Sequence, residues 1–324
     1  ELPTIPSDPN IKIFKLTSIQ KIISSLYISI YFVMVTLNPQ IIKIPAFMTK
    51  FIDVDNLSIF QKVKLVIKGK LTTTVFNNFS GKNICLFLNV FFKFDGKLVF
   101  DKNRYIKISK DKSKQLNYPN LRVTRILLNE SEFLNHLFDS YLLNIPNFKS
   151  GDKVIDCGAN VGELFLAFEN LKLDIDYLGF EPDPNVFECL EINTNKSNYN
   201  CALSNRKGEV DFYIDSFGGN SSMHESSATK LKTKVESRLL DDFIKNEKIK
   251  LLKIDAEGNE LEVLLGGEDN LNNIAYISVD CGAEKGMSQE TTFVEVNNYL
   301  TSRNFEIVAI NEKRLVCLYK NKND

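Results

Sequence analysis

The chain has 324 residues, 44% of them hydrophobic and 25% charged, which excludes a disordered or fibrous protein and leaves either two domains or one domain with a sizeable N-terminal extension. The formal net charge of −1 hides a split: residues 1–150 hold 21 Lys and Arg against 10 Asp and Glu, and the remainder holds 19 against 31. A basic front half that meets a partner or a membrane, joined to an acidic domain with other work, fits that asymmetry. Six cysteines without a C-x-x-C pair argue against zinc or a redox dithiol and for a reducing compartment, and two histidines are too few for a His-rich metal site.

The opening at Glu1, with no Met and no basic stretch ahead of an apolar run, argues against a signal peptide and suggests that residues are missing ahead of it. Residues 22–37 (IISSLYISIYFVMVTL) lie in a stretch with no charge between Lys21 and Lys43. A membrane-spanning helix wants ~20 predominantly apolar residues. Ser24, Ser25 and Ser29 dilute this run and Asn38-Pro39 ends it, which favours a buried or interfacial helix. Residues 83–109 read as β structure, with Asp95-Gly96 as a two-residue hairpin turn and YIKIS as a further alternating run. Lys107, Lys110, Lys112 and Lys114 then form a basic run, either a solvated linker face or a contact for an anionic substrate or lipid headgroups. A helix is expected over 121–143, and His136 within it is an ordinary packing or surface residue. The expected division is a helical and small-β N-terminal region at 1–115 and a second domain at 116–324.

From Pro146 onward short apolar runs alternate with helical stretches, the pattern of a parallel α/β sheet. The expected strands are KVIDC (153–157), YLGFE (177–181), NCALS (200–204), IKLLKID (249–255), AYISVD (275–280), FEIVAI (305–310) and RLVCLY (314–319). Only Asn311, Glu312 and Lys313 join the last two, too few for a parallel crossover, so they form an antiparallel hairpin. A seven-stranded, Rossmann-like sheet that ends in such a hairpin is similar to the class I S-adenosylmethionine-dependent methyltransferase fold.

The first strand runs into VIDCGANVG, which places Asp156, Gly158 and Gly162 in a D-x-G-x-x-x-G arrangement at a strand end, where small residues let a ligand approach the backbone. Asn160 stands where a dinucleotide fold has its middle glycine. Glu181 ends the second strand, where an acid can accept both hydroxyls of a ribose, although that spacing suits NAD equally. Ala202 and Ser204, on the third segment, lie near where an adenine edge would fall. In LLKIDAEGNELEVLLGG, Asp255, Glu257 and Glu260 crowd a strand end and a helix start. Glu260 and Glu262 suit helix N-terminal charges. Asp255 and Glu257 are less well explained that way, and Lys253 is either a buried ion-pair partner or an active-site cation.

Taken in order, VIDCGANVG, GFEPDP, CALSN, a SRLLDDFI helix and KIDAEGNELEVLLGG resemble the FkbM family of S-adenosylmethionine-dependent O-methyltransferases, whose members methylate hydroxyls of sugars and polyketide-type natural products. The resemblance covers roughly residues 150–319. It implies that Asp156, Gly158, Asn160, Gly162, Glu181 and Asp183 hold the cofactor and that Asp255 with Glu257 faces the acceptor. Where many members carry a Glu-Val-His-type segment after the fifth strand, this chain reads VDCGAEKG, with Asp280 and Glu284.

A sugar hydroxyl is a poor acid, so transfer to it calls for a base or a Lewis-acidic metal. Asp255, Glu257, Asp280 and His224 are the candidates for base, and oxygen ligands from Asp255, Glu257 and Asp280 would suit a divalent cation. An unpaired acid cluster would be expected to show raised pKa values. The expected enzyme is cytoplasmic, acts on a sugar or glycan acceptor, binds no nucleic acid, and makes peripheral membrane contact through its N-terminal region. The rivals are a membrane-associated binding protein without turnover and an NAD-dependent sugar dehydrogenase.

Overall fold

The structure is a computed structural model that describes residues 44–214, 231–286 and 288–323, so the apolar stretch 22–37 and His224 lie outside the described residues. The chain divides into two compact units, Glu1–Ser80 and Gly81–Asp324. In the first, a short 3-10 turn (Ala46–Met48) precedes the helix α1 (Ile59–Asn78). Its start is a capping box: Ser58 Oγ accepts the Gln61 N–H at 3.3 Å, and Gln61 Oε1 accepts the Ser58 N–H at 2.9 Å. No helix among the described residues is long and apolar enough to cross a membrane.

The second unit begins with a helix, α2 (Lys82–Phe91), where alternation predicts a strand. A strand would bury Ile84, Leu86, Leu88 and Val90 together, whereas the helix buries Ile84, Cys85 and Leu88 and leaves Leu86 and Val90 on the surface. A run that is apolar at nearly every position satisfies both periods, and the choice falls to packing. The hairpin turn is also displaced: β1 (Lys97–Asp101) and β2 (Arg104–Ile108) turn through Lys102 and Asn103, with φ of 46° and 59°, the left-handed pair a type I′ turn needs. With β3 (Gln115–Tyr118) they form a three-stranded antiparallel sheet. The expected 121–143 helix divides into a 3-10 turn (Leu121–Ile126), capped by Asn120, and α3 (Glu130–Ser140).

The main sheet is built from β4 (Lys153–Cys157), α4 (Glu163–Asn170), β5 (Asp176–Phe180), α5 (Pro184–Thr194) and β6 (Ser197–Tyr199). A short β7 (Ala202–Leu203) and the strands β8 (Gly208–Ile214) and β9 (Leu231–Arg238) make a separate three-stranded sheet. The main sheet resumes with β10 (Ile249–Ile254), α6 (Glu260–Leu265) and β11 (Ile274–Asp280). After a small ribbon of β12 (Ala283–Lys285) and β13 (Glu290–Thr291) come α7 (Phe293–Ser302), β14 (Phe305–Asn311) and β15 (Val316–Asn321).

The strand order is β14-β15-β11-β10-β4-β5-β6, parallel except for β15, which runs antiparallel to both β11 and β14. This is the seven-stranded class I methyltransferase topology with its reversed terminal hairpin. The order switches direction between β4 and β10, and it is outside the carboxyl ends of strands at such a switch that ligands bind.

Two further expected elements, both in the second half, differ. The third strand of the sheet is Ser197–Tyr199, not 200–204: Cys201 and Leu203 join the main core while Ala202 turns into a second one with Val210, Phe212 and Val235. The expected SRLLDDFI helix is the end of β9 followed by one 3-10 turn (Leu240–Asp242). All six cysteines are free and buried.

Gly96 and Gly151 provide a test of close packing at the first sheet. Both have positive φ (78° and 90°), but a Cβ on Gly96 would lie 1.8 Å from the Ile108 carbonyl oxygen, whereas one on Gly151 meets nothing within 4 Å. Gly151→Ala should cost only the left-handed strain of ~1–2 kcal/mol. Gly96→Ala should cost clearly more in urea denaturation, and equal costs would contradict this packing.

Candidate active site

The loop after β4 is held from both sides by backbone bonds. Gly158 and Ala159 donate N–H bonds to the Phe180 carbonyl at 3.0 and 2.9 Å, and the Asp255 N–H donates to the Cys157 carbonyl at 3.1 Å. Gly158 has φ of 77°, and a Cβ there would come 2.0 Å from the Asp255 carbonyl oxygen, so no other residue fits between the two strand ends. Asn160 also adopts positive φ, at 50°, and its N–H donates to Glu181 Oε2 at 3.0 Å. Gly162, with φ of 87°, caps the start of α4.

Beneath this loop lies a buried ion pair. Lys253 and Asp156 are direct partners in the parallel β10/β4 ladder, so their side chains leave the sheet on the same face. Lys253 Nζ is 2.9 Å from Asp156 Oδ1, with the side chains 4% and 1% exposed. It is a close charge pair more than an aligned hydrogen bond, because the same ammonium donates to the Gly158 carbonyl at 2.8 Å and to the Cys157 carbonyl at 3.2 Å. Asp156 Oδ2 accepts the Tyr177 hydroxyl at 2.6 Å. Burial alone would lower the Lys253 pKa, but the neighbouring Asp156 carboxylate outweighs it and holds the ammonium above its usual value.

Glu181 follows β5 and is buried. Its Oε1 accepts the Asp183 N–H at 2.9 Å and its Oε2 the Asn160 N–H, so the carboxylate spans from the glycine loop to the start of α5. Burial, helped by the nearby Asp183, pushes its pKa up to about 7 against the two N–H bonds. Of the expected cofactor residues, Asp156 and Asp183 have their carboxylates committed within the fold: Asp183 is the N-cap of α5, accepting from Asn185 and Val186. Ser204 is buried beneath Gly266, and Ala202 belongs to the second core.

Asp255 follows β10 and is bound by groups the sequence reading missed. The Tyr141 hydroxyl donates to its Oδ2, and Arg314 Nη2 lies 3.6 Å from the same oxygen. Arg314, in the hairpin turn between β14 and β15, also pairs with Asp280 and donates to the Tyr141 hydroxyl and to Ser140 Oγ, each at 3.2 Å. Tyr141 is fixed in turn, since Ser278 Oγ donates to its carbonyl at 2.8 Å. Burial raises the Asp255 pKa, but Lys253, Arg314 and the Tyr141 hydroxyl together hold it below the usual carboxylate value. The expected raised pKa is therefore corrected for Asp255. Asp280 does shift upward, through burial and the charge of Asp255.

Glu257 is half-buried in the turn after Asp255, with φ of 50°. Among the described residues no group of three or more His, Cys, Asp or Glu side chains is placed to hold a metal ion, so Asp255, Glu257 and Asp280 do not gather as a ligand set; Arg314 joins two of them instead. Glu260 is also more than a helix-start charge. Its Oε1 accepts from the N–H groups of Ala256 and Gly258 at 3.1 and 3.0 Å, and its Oε2 from Thr292 Oγ at 2.8 Å. Burial pushes its pKa up to about 7. His224 belongs to the residues outside the description.

Residues 156–307, from the Asp156 of the glycine loop through β14, match the family described as Methyltransferase FkbM domain. Those residues form an FkbM-type methyltransferase domain. The methyltransferase is similar to Methyltransferase sdnD of Sordaria araneosa, 26% identical over 181 residues and covering 43% of this chain and 70% of that protein. It is similar also to 2-O-methyltransferase NoeI of Sinorhizobium fredii, 25% identical over 179 residues (48% and 73%). A further relative is the hexuronic acid methyltransferase AglP of Haloferax volcanii, 23% identical over 194 residues (57% and 77%). The resemblance drawn from the motifs is borne out.

Glu181 and Glu260 give the methyltransferase a pH dependence. Each holds a proton in the folded chain up to about pH 7, while the unfolded chain releases it near the ordinary value of 4.5. The folded state therefore binds more protons between those values, and stability falls as pH rises through that window, then levels off. Urea midpoints measured from pH 5 to 8 should show the fall, and Glu181→Gln and Glu260→Gln should each flatten part of it. A wild-type profile without the fall would contradict the burial of both acids.

Proposed function

We propose that the protein transfers a methyl group from S-adenosylmethionine to a hydroxyl of a sugar or glycoconjugate, with the cofactor at Gly158–Gly162 and Glu181 and the acceptor beside Asp255 and Glu257. The observation that carries the cofactor position is the Glu181 carboxylate, buried at a strand end and bonded to the backbone of the glycine loop. Each of its oxygens spends one lone pair on an N–H and keeps the other for a ribose hydroxyl. The loop fits the cofactor because Gly158 and Gly162 present bare backbone at the carboxyl end of the sheet. Asn160, in place of a dinucleotide fold's middle glycine, disfavours NAD. For the acceptor, support comes from two relatives, one named for a hexuronic acid and one for an oxygen at position 2.

When bound, S-adenosylmethionine would supply a methyl group on a sulfonium, whose sulfur would leave as a neutral thioether when its bond to the methyl carbon breaks and so would need no acid. The chain's task is alignment and removal of one proton. Asp255, held ionised by Tyr141, Arg314 and Lys253, accepts a hydrogen bond from the acceptor hydroxyl, aims its oxygen lone pair, and takes the proton as the C–O bond forms. Lys253 is a positioning residue, since its ammonium is spent on Asp156 and the loop carbonyls.

Calorimetric titration separates the readings. S-adenosylmethionine should bind and NAD should not, and Glu181→Gln should weaken binding by the loss of charge-assisted bonds worth ~1.5–3 kcal/mol each. Below pH 7 wild-type affinity should fall, because a protonated Glu181 accepts less well. Asp255→Asn should lower turnover far more than cofactor affinity. NAD binding, or unchanged affinity in Glu181→Gln, would overturn the cofactor assignment.

A further inference from the structure

α1 carries two faces that differ from those of an ordinary surface helix. Its inward face is Val66, Gly69 and Thr72. On the opposite side, Phe60, Lys64, Ile67 and Leu71 follow one another at i, i+4, i+7 and i+11 and so share a single stripe. Phe60 is 79% exposed, Ile67 42% and Leu71 40%. Single exposed apolar residues are unremarkable, but an aligned row of them is not. The helix also holds four lysines, Lys62, Lys64, Lys68 and Lys70, and no Asp or Glu in 20 residues. By helical spacing, Lys64 lies within the stripe, Lys68 flanks it on one side and Lys70 on the other. Burial and the charge of Lys64 lower the Lys68 pKa.

We propose that this face of α1 docks on an anionic lipid bilayer, with Phe60, Ile67 and Leu71 entering the headgroup boundary and the lysines meeting lipid phosphates. An apolar row rimmed by ammonium groups supplies the two signals, insertion and charge attraction, that stable surface binding needs. A second copy fits poorly: a two-fold contact would set lysines against lysines, and residues 1–150 hold 21 basic against 10 acidic side chains. The inference is independent of the catalytic reading, because it uses only the first unit.

Flotation of the full chain with vesicles tests it. The protein should float with phosphatidylserine-containing vesicles at low salt and remain below with pure phosphatidylcholine. High salt should release it. The variant Phe60→Ser, Ile67→Ser, Leu71→Ser should lower the bound fraction about tenfold with unchanged helicity and melting temperature. Lys64→Glu, a surface change that spares the apolar row, should weaken binding in the same direction. The proposal is overturned if the wild type fails to float at low salt, if both variants float as well as the wild type, or if the wild type is a dimer that Phe60→Ser makes monomeric.

Discussion

The ammonium of Lys253 lies where β4 and β10 run side by side, and it touches Asp156 and the carbonyls of Cys157 and Gly158. It also stands 5.2 Å from the centre of the Tyr141 ring. A charge this deeply buried is tolerable only when paired and fully bonded, and Lys253 meets both conditions by pulling the glycine loop onto itself. The tight turn at Gly158 and the approach of Asp255 to the loop both follow from that closure. So does the position of Glu181, because the same loop carries the Asn160 N–H that its carboxylate accepts.

From this buried cation the electrostatics spread outward in alternating sign. Lys253 and Arg314 together hold Asp255 ionised, and Asp255 and Asp280 in turn hold Arg314 above the ordinary guanidinium value against its burial. Tyr141 bridges both sets, with its hydroxyl on Asp255 and the Arg314 guanidinium 4.7 Å over its ring. Such a cluster keeps Asp255 ionised near neutrality, so its carboxylate is ready to orient a hydroxyl and to receive its proton. Glu181 and Glu260 behave oppositely, since among the described residues each is buried with no ion pair and accepts from N–H or hydroxyl groups.

The parallel sheet and its terminal hairpin were legible because apolar runs, helix lengths and a three-residue connection leave one topology open. The placement of Gly158 and Glu181 side by side was legible because each follows the end of one of two neighbouring strands, β4 and β5. The Lys253–Asp156 pair was half legible: the ladder register that makes them opposite partners is a property of strand pairing, not of either strand alone. Arg314 and Tyr141 were missed because they come from a hairpin turn and from the residue after α3, distant in sequence from the motifs. The antiparallel hairpin itself held the signal, since it carries a turn arginine back toward Asp280. Residues 82–91 were misread because Ile84, Leu86, Leu88 and Val90 alternate as in a strand, while burial selects Ile84, Cys85 and Leu88.

The dependence of the glycine loop on Lys253 is most directly tested by a double-mutant cycle of Lys253→Met with Asp156→Asn, read by urea unfolding and by calorimetric titration with S-adenosylmethionine. Lys253→Met alone should cost ~3–5 kcal/mol by leaving a buried carboxylate unpaired. The double variant should recover part of that, with a coupling of at least about 1 kcal/mol. Its cofactor affinity should stay reduced, since the Cys157 and Gly158 carbonyls lose their donor in both. Additive costs in stability, or wild-type affinity in Lys253→Met, would contradict the account.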